Sequence, residues 1–63
     1  MDLREARQAA GLTQAEVADH LGISRPTYIK MEKRPEEVTI SDAITLADLF
    51  GVKVDAIFFG RKV

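Results

Sequence analysis

The chain contains no cysteine, which excludes disulfide staples and thiolate metal sites. Its single histidine, His20, cannot assemble a His/Cys zinc cluster alone and reads as a solvent-exposed residue on a polar helix face. No Ser/His/Asp or Cys/His set, glycine-rich phosphate loop or pair of carboxylates in a cleft is apparent. An enzyme, a cofactor and a small-molecule substrate are therefore not expected. The apolar runs are far too short to span a bilayer, and no signal peptide precedes Leu3, so the expectation is a cytoplasmic chain with no membrane partner. Basic excess is missing as well: the net charge of −1 argues at first against a nucleic-acid partner.

What is present is a short, apolar-rich chain of 63 residues, 46% of them hydrophobic. That length is near the lower limit for a core without staples, so stability has to come from packed helices. There is no internal repeat, low-complexity segment or linker, and residues 1–63 read as a single domain.

The central stretch, Thr13 to Glu32, reads as two short helices around a glycine turn. Thr13 and Glu16 form a T-x-x-E capping box, and Val17, Ala18 and Leu21 follow at helical spacing. Gly22 supplies the positive-φ stop and Ile23 folds back on the last turn. Ser24 caps the next helix, Pro26 falls in its first turn, and the run continues through Tyr28, Ile29 and Met31 to Glu32. A turn this tight between two helices is the helix-turn-helix arrangement, whose second helix enters the DNA major groove. Ala18 has to be small where the helices cross, and a larger residue there or at Gly22 is expected to force them apart.

The flanks are helical too. Asp2 caps a first helix with Leu3, Ala6 and Ala10 on one face, stopped by Gly11 and Leu12. Thr39 and Asp42 make a second box, opening a fourth helix whose apolar face is Ile40, Ala43, Ile44, Ala47 and Phe50, and Gly51 ends it. A last short helix spans Val54 to Phe59, from which Phe58 and Phe59 cannot both point inward.

The order Gln14, Ala18, Leu21-Gly22, Ser24, Glu32 resembles the Cro and phage-repressor type of helix-turn-helix, the Xre family, over about Leu3 to Phe58. The resemblance implies an all-α, five-helix, lambda-repressor-like DNA-binding domain with the helix-turn-helix formed by helices two and three. It implies a buried ion pair between Arg7 and Glu32, and a contact from Gln14 to the DNA backbone. The family's usual Asn-Gly after the glutamate is here Lys33-Arg34, then Pro35, so the loop to Val38 takes another shape. Tyr28 stands where an aliphatic core residue is usual, and Ile29 where a small polar one is. Either Tyr28 packs in the core and Ile29 meets thymine methyls or a partner subunit, or the helix is rotated to bury Ile29.

Charge is distributed unevenly. Between Arg25 and Arg34 four cations face Glu32 alone, a local +3 that leaves −4 elsewhere. With the segment Ser24–Glu32 as recognition helix, Arg25, Pro26, Ile29 and Lys30 are expected at base edges, and Gln14, Thr27, Lys33 and Arg34 at phosphates. The expectation is a sequence-specific regulator binding double-stranded operator DNA as a homodimer, with Phe59 at the subunit contact. The resemblance also admits an antitoxin, and the acidic balance admits a helical protein-interaction module that has lost DNA binding.

Overall fold

The computed structural model describes residues 1–58, and among them every regular element is helical. The order is α1 (Leu3–Ala9), α2 (Gln14–Leu21), α3 (Arg25–Lys33), α4 (Ile40–Phe50) and α5 (Val54–Ile57), with a 3-10 turn, Pro35–Glu37, between α3 and α4. The helix-turn-helix is formed by α2 and α3.

Local chemistry accounts for where the helices begin. Asp2 accepts from the Glu5 amide at 2.8 Å while Glu5 Oε1 accepts from the Asp2 amide at 2.9 Å. Thr13 and Glu16 repeat that reciprocal box at the head of α2, at 3.0 and 2.8 Å. At α4 the box is one-sided. Thr39 Oγ1 accepts from the Asp42 amide at 3.1 Å, but no return bond from the aspartate is formed, since its side chain is one methylene shorter than glutamate.

Three helices end alike. The amide of the residue after the glycine bonds five residues back, Leu12 to Arg7, Ile23 to Ala18 and Val52 to Ala47, and the glycine amide bonds to Gln8, Asp19 or Asp48. This is the Schellman arrangement, which needs a left-handed residue at its corner. Gly22 has φ +71°, yet a Cβ built there would meet nothing within 4 Å. The expectation that a larger residue at Gly22 would push the helices apart is therefore corrected: the demand on that position is conformational.

The core is built from Leu3, Ala6, Val17, Ala18, Tyr28, Leu46 and Phe50, with Leu12, Leu21, Ile23, Met31 and Phe58 among the half-buried residues packed on it. Ala18, on α2, is 3% exposed. Two expected faces shift. Ala10 is exposed, because it lies past the last turn of α1. On α4 the buried residues are Ala43, Leu46, Ala47 and Phe50, while Ile40 and Ile44 are 71% and 49% exposed. Both stripes satisfy helical spacing around the shared residues Ala43 and Ala47; Leu46 is the one that points into the cluster. Helix α5 stops at Ile57, short of the expected Phe59, and opens at Lys53 without a side-chain cap.

Candidate nucleic-acid interface

Ser24 starts α3. Its hydroxyl accepts from the Thr27 amide at 3.3 Å and lies 2.8 Å from Thr27 Oγ1, so the Thr27 hydroxyl is engaged at the cap. Pro26 occupies the first turn, where its missing N–H leaves no bond unmade. Tyr28 is 0% exposed, whereas Ile29 is half-buried and outside the core cluster, which selects the first of the two registers. The opposite stripe carries Pro26, Lys30 and Lys33, all exposed, and Arg25 is exposed at the first position of the helix.

The helix runs to Lys33, one residue past Glu32, and is capped by Arg34 at φ −133° and ψ 67°. Arg34 precedes Pro35, whose ring drives the residue before it out of the helical region. The chain then makes its 3-10 turn, and Arg34 Nη1 reaches Glu37 Oε2 at 3.4 Å in an exposed pair. So loose a surface contact leaves the guanidinium available to another anion.

Beneath the stripe lies a polar network. Arg7 Nε donates to Glu32 Oε2 at 2.6 Å, Arg7 Nη1 donates to the Leu12 carbonyl at 2.8 Å, and Gln14 Nε2 donates to Glu32 Oε1 at 3.0 Å. Side-chain exposure is 10% for Arg7 and 6% for Glu32. Burial works against the charge on Glu32, but the bonds from Arg7 and Gln14, with the neighbouring Tyr28 hydroxyl, hold its carboxyl below the ordinary range. The Tyr28 hydroxyl is buried close to that carboxylate without reaching hydrogen-bond geometry to any described residue. Burial first, and the Glu32 carboxylate second, push its phenol well above the usual value.

Two clefts of about 400 Å³ flank the end of α3, and Lys33 lines both. One is bounded by Lys30, Arg34 and Glu37. The other brings Gln14 and Ile29 together with Arg4 of α1, over the Arg7–Glu32 pair. Five of the expected contact residues, Gln14, Ile29, Lys30, Lys33 and Arg34, thus gather at these clefts. Pro26 lies along the stripe toward its start, Arg25 is exposed at the first position of the helix, and Thr27 lies off the stripe. The side-chain amide of Gln14 donates to Glu32, a tertiary contact no local pattern encodes. Arg4 was not expected at the interface; its only signal is lying one turn ahead of Arg7. Phe59, the expected dimer contact, lies outside the described residues.

Among the described residues no cluster of His, Cys, Asp or Glu could hold a metal ion, and no helix is long and apolar enough to cross a membrane. A helix-turn-helix family model matches residues 3–57. The chain is 39% identical over 56 residues to an uncharacterized HTH-type transcriptional regulator of Methanocaldococcus jannaschii, covering 89% of this chain and 85% of that protein. It is 32% identical over 61 residues to an uncharacterized HTH-type transcriptional regulator of Bacillus subtilis, covering 97% of this chain and 53% of that protein. No solved structure gives a significant match.

Proposed function

Because the chain belongs to the Xre-type helix-turn-helix family of DNA-binding transcriptional regulators, we propose that it is a sequence-specific regulator of the Cro or repressor kind, acting on double-stranded operator DNA. In this reading α3 lies in the major groove and α2 crosses the sugar-phosphate backbone. Arg25, Pro26, Ile29 and Lys30 face base edges. Gln14, Thr27, Lys33 and Arg34 face phosphates, Gln14 from a position fixed by Glu32. The protein works in the cytoplasm as a homodimer on a near-palindromic site, with half-sites about 10 to 10.5 bp apart. It uses no cofactor and performs no catalysis.

The observation that carries the reading is the division of α3: Tyr28 is sealed in the core, and the exposed residues of the helix include Arg25, Lys30 and Lys33 without a carboxylate among them. A −1 chain with a local +3 between Arg25 and Arg34 can meet phosphate with that segment while its remainder is acidic. Selection from random-sequence duplexes, followed by salt titration on the enriched site, is the test. A palindromic consensus with steep loss of affinity as salt rises is expected. Absence of any duplex binding at low salt would point to a protein-interaction module. Sedimentation showing a monomer on the enriched site would remove the dimer.

A further inference from the structure

Arg4 is exposed on α1 and has no carboxylate within 4 Å among the described residues. It nevertheless borders the same cleft as Lys33 and Gln14. Its position is fixed from within: Arg7, one turn further along α1, is tied to Glu32 in the last turn of α3 at 2.6 Å. Arg4 therefore sits at a fixed place beside the end of α3. The carboxylates in this cleft are both engaged, Asp2 on the Glu5 amide at 2.8 Å and Glu32 on Arg7 and Gln14. Arg7 and Glu32 cancel, and Arg4 and Lys33 outweigh the one remaining carboxylate, Asp2, so the lining carries a net positive charge.

We propose that Arg4 is a phosphate ligand, which extends the DNA interface from the helix-turn-helix onto α1. The inference rests on the DNA-binding reading and adds a contact to it. A guanidinium presents a planar fork that matches two phosphate oxygens, so arginine suits this position better than a lysine would. Lys33 also borders the cleft of Lys30 and Arg34, so it links the cation on α1 to those at the end of α3. A backbone strand crossing that end meets Arg4 on one side of Lys33 and Arg34 on the other. Since phosphates carry no base identity, Arg4 adds affinity and no sequence preference.

The test uses the full chain and a pool of short random-sequence duplexes, with affinity measured against salt. Arg4→Ala should lower the slope of log affinity on log salt by about 0.9, the value for one phosphate contact. Arg4→Lys should keep the slope. Lys53→Ala, an exposed cation bordering a cleft between α4 and α5, should leave it unchanged. The urea midpoint of Arg4→Ala should match wild type, because the residue is exposed on a helix. An unaltered slope in Arg4→Ala, or an equal drop in Lys53→Ala, would overturn the proposal while leaving DNA binding intact. Failure of the wild-type chain to bind any duplex would remove the DNA-binding reading and this contact together.

Discussion

Arg7 donates to Glu32 at 2.6 Å across 25 positions of sequence, joining α1 to the last turn of α3. Both side chains are nearly withdrawn from water, so each depends on the other for its charge. Removing one partner strands an uncompensated charge in a low-dielectric site, which costs about 3 kcal/mol, several times an exposed pair. A urea double-mutant cycle on Arg7→Ala and Glu32→Ala should show strong coupling. A coupling energy below about 0.5 kcal/mol would mean that the two sites are independent.

The same pair sets an acid limb. The Glu32 carboxyl is held below its ordinary 4.5 in the folded chain, so its stabilisation is fully present above that value. It is lost as pH falls through the lower folded value. Glu32→Gln should flatten this part of the stability-versus-pH curve, leaving a smaller acid dependence from Glu16, whose carboxyl is lowered chiefly by the Thr13 backbone bond. Parallel acid limbs in wild type and variant would contradict the assignment.

Tyr28 offers the converse case. Its hydroxyl is buried with no hydrogen-bond partner among the described residues, so Tyr28→Phe should be neutral or stabilising, because it removes an unsatisfied polar group and keeps the ring. The raised phenol value means that the folded chain retains the proton: the associated stability is intact below pH 10.0 and declines as pH rises above it. Tyr28→Phe should abolish that alkaline decline. A loss of more than about 1 kcal/mol at neutral pH would show the hydroxyl to be bonded.

Gly22 separates backbone strain from crowding. An L-residue held in the left-handed region costs about 1 to 2 kcal/mol, and asparagine tolerates that region better than alanine. With open space around its Cβ, Gly22→Ala should fall in that range and Gly22→Asn below it. Were asparagine the worse substitution, size and not φ would be the constraint.

Base reading and phosphate binding should come apart on α3. A bidentate arginine on guanine contributes about 1 to 3 kcal/mol of discrimination. Arg25→Ala is therefore expected to relax preference for a guanine in each half-site. Lys33→Ala should weaken all sequences alike and lower the salt slope by about 0.9. Random-site selection with both variants decides it: an unchanged motif with Arg25→Ala would make Arg25 a phosphate clamp.

The helix limits were written locally and were legible for that reason. Thr13 with Glu16, Ser24, and the glycines at 11, 22 and 51 each act within six residues of themselves, and the backbone bonds follow them. What depended on neighbours far along the chain was not legible. Ile40 and Leu46 have nearly equal claims to the core by spacing, and only packing against Leu3, Val17 and Tyr28 decides for Leu46. The side-chain amide of Gln14 and the place of Arg4 both follow from how α1 sits against α3. The shape after Glu32 came from Pro35 acting on Arg34, a steric rule that the missing Asn-Gly had already exposed.

The partition of α3 also bears on how such a protein changes over generations. Tyr28, Met31 and Glu32 carry its attachment to the body, while Arg25, Pro26, Ile29 and Lys30 lie outside the core cluster. Substitutions on the outer stripe leave the packed body untouched, and most surface changes alter stability by no more than about 0.5 kcal/mol. If that face reads DNA as proposed, lineages can exchange one recognition surface for another by single steps, each passing through a folded intermediate, so new specificities are reachable without a compensating change elsewhere in the chain.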